Sequence, residues 1–76
     1  MPAREIRVGD RVEILLDSDF WQSSGWFGGR VTRIDPYSEH RHFYWVELAV
    51  EIRSAQGGTT RLVSVFNPRK IRLATK

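Results

Sequence analysis

Nine of the 76 residues are aromatic, and their placement is the first chemical signal in the chain. Phe20, Trp21, Trp26, Phe27 and Tyr37 fall in or beside polar and glycine-bearing stretches, while Phe43, Tyr44, Trp45 and Phe66 fall in apolar runs. Rings gathered at one end of a small domain can stack on bases, cup a cation or grip an extended peptide. A short chain also needs large side chains inside, and Trp26, Tyr44 and Phe66 are expected to serve there. Phe20, Trp21, Tyr37 and Trp45 are the surface candidates. Of the loop pair, Trp21 is expected to be the more exposed, so that Trp21→Ala spares the fold and weakens partner binding.

Charge is the second signal. Residues 1–51 contain all nine acids and six arginines, whereas residues 52–76 contain Arg53, Arg61, Arg69, Lys70, Arg72 and Lys76 and no acid. The two parts sum to −3 and +6, giving the net +3. Ten of the twelve cations are arginine, whose planar fork suits carboxylates, phosphates and ring faces. Arg53, Arg61, Arg69, Lys70 and Arg72 are therefore candidate contacts to an anionic partner. The plainer reading is a solvated basic edge with cross-strand pairs to Glu13, Glu47 or Glu51, each contributing little.

Catalytic patterns are missing. The chain has no phosphate loop ending in Lys-Ser/Thr, no nucleophile elbow and no H-E-x-x-H. Asp17 and Asp19 sit in a polar loop, without the burial that raises a general acid's pKa. His40-Arg41-His42 offers two imidazoles, but a zinc site needs three or four ligands and there is no cysteine to add. These histidines are expected in an exposed loop. The sequence thus points to no enzyme, no metal and no cofactor. No apolar run approaches membrane-spanning length and the N-terminus shows no apolar signal region, so a cytoplasmic protein without a membrane partner is expected.

The elements that must position these residues follow from a period of two. Hydrophobic residues make up 41% and charged residues 28% of the chain, as in ordinary globular domains, yet no segment keeps helical spacing over three turns. Arg11 to Leu16 alternates with Val12, Ile14 and Leu16 on one face, a first strand. A loop from Asp17 to Gly25 precedes Trp26-Phe27 and a second strand over Arg30–Ile34, with Gly28-Gly29 placed for a bend. Asp35-Pro36-Tyr37-Ser38 reads as a turn whose loop runs to His42. Phe43 to Arg53 is the third strand, with Tyr44, Val46, Leu48, Val50 and Ile52 on one face. A hairpin at Ser54–Gly58 leads to a fourth strand over Thr59–Phe66. Asn67-Pro68-Arg69-Lys70 predicts one 3-10 turn before a short strand, Ile71–Leu73. Closing five short antiparallel strands on themselves hides both the edges and the apolar stripe. The expected fold is an all-β, five-stranded antiparallel SH3-like barrel, one domain over residues 1–76 with its core at about 8–73.

Several pieces resemble a known family. Val8-Gly9-Asp10-Arg11-Val12-Glu13, Gly25-Trp26-Phe27 with Val31, Tyr44-Trp45-Val46-Glu47, and Leu62 with Val65 and Ile71-Arg72 look like the Tudor and agenet domains. The resemblance covers about residues 8–73 and implies a barrel that binds peptides, often through an aromatic cage for methylated side chains. The family's usual acid in the fourth strand is absent from Leu62-Val63-Ser64-Val65, and its closing proline is Leu73. Val12-x-Ile14-Leu15 with Phe20-Trp21 is also similar to the small ferredoxin-docking peripheral subunit of photosystem I, which implies a basic barrel facing an acidic protein. The barrel-type plasmid dihydrofolate reductase is a poor match, because its glutamine-bearing strand has no counterpart in Ser64-Val65-Phe66-Asn67.

The expectation is a non-enzymatic binding module for a protein or peptide, acidic in character. Its contacts would be Phe20, Trp21, Tyr37, Trp45, Arg53, Arg61, Arg69, Lys70 and Arg72. The alternative is single-stranded nucleic acid or RNA on the same surface, diluted by the nine acids. Oligomeric state is left open.

Overall fold

Strand β1, Arg11–Leu16, buries Val12, Ile14 and Leu16 and turns the residues between them outward, as its alternation requires. The other elements are β2 (Gly25–Ser38), β3 (Arg41–Arg53), β4 (Thr59–Val65), a 3-10 turn at Pro68–Lys70 and β5 (Ile71–Leu73). The computed structural model describes residues 6–39 and 41–74. All strands are antiparallel in one sheet of order β4-β3-β2-β1-β5. Its hydrogen-bond ladder ends at β4 and β5, so the expected barrel is not closed by backbone pairing.

Among the described residues no α-helix covers the sheet, which can then bury its apolar face only by curling onto itself. Val12, Ile14, Val31, Val46, Leu48, Ile52, Val63, Val65 and Ile71 form one buried cluster drawn from every strand. The curl has two local causes. At Gly29 the backbones of β2 and β3 approach so closely that a Cβ would lie 2.6 Å from the Glu47 carbonyl oxygen and 3.0 Å from the Leu48 Cα. Between Val31 and Arg33 the register slips by one residue, so Val31 and Ile34, three apart, both face inward. Thr32 Oγ1 donates to the Trp45 carbonyl, 3.3 Å away, at this bulge.

The structure corrects five expectations. Asp35–Ser38 is strand rather than turn: the β2–β3 ladder continues through Ser38 opposite Arg41. Proline is tolerated at position 36 because β1 and the Gly9-Asp10 turn before it bond β2 only as far as Val31, so among the described residues position 36 has no ladder partner on that side. Val50 is 50% exposed, since β3 advances from Glu47 to Ile52 while β4 moves only from Leu62 to Thr60, and the stretch between bulges out of the ladder. Trp26 is 37% exposed: Leu15 stands opposite it, and the register turns the neighbouring Phe27 inward opposite Ile14. Phe66 follows the last paired residue of β4 and, with Val65 buried, falls on the outer side, where other rings half-cover it. His42 is likewise half-buried in β3, its ring 6.1 Å from that of Tyr44, whereas His40 lies outside the described residues.

The 3-10 turn appears where Asn-Pro predicts it. Asn67 caps it by accepting the Arg69 N–H on Oδ1 at 2.9 Å, and Pro68 occupies a position that needs no donor.

The two adjacent glycines give opposite predictions. Gly29→Ala should lower stability by about 1–3 kcal/mol, because two backbones must move apart. Gly28→Ala should leave stability level or slightly raised, because a Cβ there meets nothing within 4 Å. Urea denaturation of the two variants checks the pair.

Candidate functional site

The loop that follows β1 is held by its backbone. Phe20 and Trp21 both donate N–H to the Asp17 carbonyl at 3.0 Å. Gln22 N–H reaches the Arg53 carbonyl at 2.9 Å, and Ala55 N–H reaches the Phe20 carbonyl at 2.9 Å. Trp21 itself bridges to Ser54. These bonds tie the loop to the β3–β4 hairpin and leave the two rings in different settings. Trp21 is half-buried and packs against the core, whereas Phe20 is 65% exposed. The order expected for the pair is therefore reversed, because the strand-like pairing at Trp21 turns its ring inward.

Phe20 and Trp21 border a cleft of about 260 Å3 that β1 and β4 line together, although two strands separate them in the sheet. Leu16, Val65 and Phe66 make its walls apolar, and Asp17 and Lys70 meet at 3.7 Å beside it. β5 pairs with β1 only at Val12–Ile14, so Leu15 and Leu16 lie beyond the end of that ladder. The cleft is the seam left where the curled sheet does not close.

Phe66 belongs to a second feature as well. Its ring centroid lies 5.0 Å from Tyr37 and 4.8 Å from Phe43, and Tyr37 meets Phe43 edge-on at 5.6 Å. Edge-to-face pairs of this kind contribute roughly 0.5–1.5 kcal/mol beyond area burial. The Arg41 guanidinium sits 5.3 Å from the Phe66 ring centre. Tyr37 remains 66% exposed. The seam and the triad thus form one apolar surface running from Phe20 through Phe66 to Tyr37. Trp45, on the same outer side of β3 as Phe43, is half-buried and donates its indole N–H to Asp35 Oδ2 at 3.1 Å. Arg33 holds the other oxygen of that carboxylate at 2.8 Å.

The basic candidates do not form one stripe. Lys70 lies at the seam and Arg69 is exposed on the 3-10 turn. Arg53 is exposed at the far end of β3. Arg72 is held on the outer face, its guanidinium 3.8 Å from the Trp26 ring centre and its Nε 2.7 Å from Glu13 Oε1. At this partly exposed site the ring contact contributes about 0.5–1 kcal/mol. Arg61 lies on β4 near Arg11 and Arg30, which charge counting alone did not single out.

Phe43, Phe66 and Arg41 also join the site without having been among the expected contacts. The period-two alternation of β3 already set Phe43 on the side of Trp45. The position of Phe66 depends on β4 ending at Val65, which no local pattern marks. No protein-family model, curated protein or solved structure matches this chain.

Truncating the loop rings should separate their roles. Trp21→Ala should lower stability by about 2 kcal/mol or more, and Phe20→Ala by less than about 0.5 kcal/mol. Equal losses in chemical denaturation would contradict this division.

Proposed function

We propose that the chain is a non-enzymatic binding module that docks a protein or peptide through the seam and the ring surface beside it. One observation carries the reading. Phe20 and Tyr37, the most exposed rings, stand at the two ends of an apolar surface that Phe66 makes continuous. An exposed patch of large rings on a small domain is characteristic of a contact surface. The intrinsic role of Phe43 and Phe66 is to brace the end of the β2–β3 hairpin, and the uncovered face of Tyr37 is what remains for a partner.

The geometry favours protein over the other ligands considered. The rings touch one another nearly at right angles or tilted, which leaves no parallel slot for a base. They also leave no gap for a methylated ammonium, and the chain's own Arg41 occupies the position over Phe66. The cleft walls are aliphatic and aromatic, suited to an apolar side chain of an extended peptide. The Tudor-like and agenet-like resemblance agrees with peptide binding but not with a cage at these rings. Among the described residues, no helix is long and apolar enough to cross a membrane. With a chain free of cysteine, the reading places the module in the cytoplasm.

A photo-crosslinking phenylalanine analogue at position 20 or 37, irradiated in native extract, should give the same nuclease-resistant protein adduct from both positions. The analogue at Glu51, exposed on β3, should not give it. Tyr37→Ala should then weaken binding of that protein about tenfold or more, as truncation of an aromatic anchor does. Nuclease-sensitive adducts, or adducts no stronger than the Glu51 control, would overturn the reading.

A further inference from the structure

A second depression, of about 520 Å3, is lined by residues of β1, β2, β3 and β4 and by Ala74, just past β5. Its border includes Arg11, Arg30, Arg61, Glu47 and Ala74, and its floor includes Gly28. Gly28 faces the open side, for a Cβ built there meets nothing within 4 Å. The absent side chain gives a ligand access to the strand.

The arginines are arranged at a cost to the isolated domain. Arg11 stands directly opposite Arg30 across β1 and β2. Like charges in such a pair repel. Arg30 is in turn opposite Glu47 across β2 and β3, yet no ion pair forms between them. Among the described residues, Arg11, Arg30 and Arg61 have no ion-pair partner, whereas the neighbouring Arg72 is neutralised by Glu13. Three guanidinium groups without an ion-pair partner among the described residues, set against the one carboxylate of Glu47, leave this depression complementary to anionic oxygen.

We propose that Arg11, Arg30 and Arg61 receive a carboxylate-bearing segment of the protein partner, a subsite for an acidic peptide that is distinct from the apolar seam. The assignment rests on the docking reading above and names the charge of that partner. The extent of the positive field favours acidic peptide over nucleic acid. Adjacent strands are about 4.8 Å apart, so the opposed arginines cover only about that width before Glu47 interrupts the row. Glu13, one row along, bounds it on another side. A nucleic-acid strand presents a continuous run of phosphates and needs a longer basic track. One or two carboxylates of an extended peptide fit within this one.

The test uses a fluorescent octapeptide of alternating Glu and Gly, its Gln–Gly twin, and a short single-stranded oligothymidine, each added to the 15N-labelled chain. The acidic peptide should shift the amides of Gly28, Gly29 and Arg30 and bind at least about fivefold tighter than the Gln twin at low salt. That preference should vanish at about 0.5 M salt. Arg30→Glu should remove binding, Arg30→Gln should weaken it, and Gly28→Leu should block it with all charges retained. Circular dichroism establishes that each variant is folded. Tyr37→Ala should bind the acidic peptide like the unaltered chain, so loss of the ring surface and loss of this subsite are read separately. Equal binding of the two peptides, shifts confined to other residues, or tighter binding of the oligothymidine through the same amides would each overturn the proposal.

Discussion

The close approach of β2 and β3 at Gly29 is the contact on which the rest of the structure depends. With no α-helix and no second sheet among the described residues, the inward faces of five short strands have only one another to pack against. A side chain at position 29 would hold two backbones apart at the place where the sheet turns. The bulge after Val31 continues the bend and keeps Ile34 on the inner side. Their combined effect is that β4 comes to face β1 across the core without hydrogen bonding to it.

Two surfaces follow from that curl. The unclosed side is the seam, with Phe20 at its border and Phe66 in its wall. The convex side carries many of the polar and aromatic residues that the inner face cannot accept. There Arg72 is committed to Trp26 and Glu13, Asp35 joins Arg33 to Trp45, and three rings brace the hairpin end. Phe20 and Tyr37 remain exposed, and Arg11, Arg30 and Arg61 remain without ion-pair partners among the described residues. A small core leaves little stability to spend on uncompensated groups.

The fold was legible in the sequence wherever one element carried its own signal. Alternation placed β1 and β5 with their observed ends, and Asn-Pro placed the 3-10 turn. The long hairpin was not legible, because Asp-Pro has turn chemistry in most settings and is tolerated here only on a side of β2 that β1 does not reach. The inward assignment of Val50 failed for a similar reason: alternation assumes continuous pairing, and β3 leaves its ladder between Glu47 and Ile52. For the site, residue type was readable and position was not. Phe20 and Tyr37 were candidates by composition, but their linkage through Phe66 depends on the curl. The grouping of Arg61 with Arg11 and Arg30, rather than with Arg69 and Arg72, depends on the way the strands come together around one depression, which charge counting along the chain does not contain.

The open seam is the claim on which both the curled fold and the docking surface rest, and amide hydrogen exchange of the dilute, unliganded protein reads it directly. An edge strand bonded on one side protects alternate amides and leaves the others to solvent. That pattern is expected along Thr59–Val65: slow exchange where β4 bonds to β3, and near-unprotected exchange at the amides between, apart from Leu62, whose N–H is held by Thr60 Oγ1 at 3.1 Å. Uniform protection of every β4 amide, to the level of central-strand residues such as Val46, would mean that β4 is paired on both edges. The seam would then be closed, which contradicts an open, curled sheet.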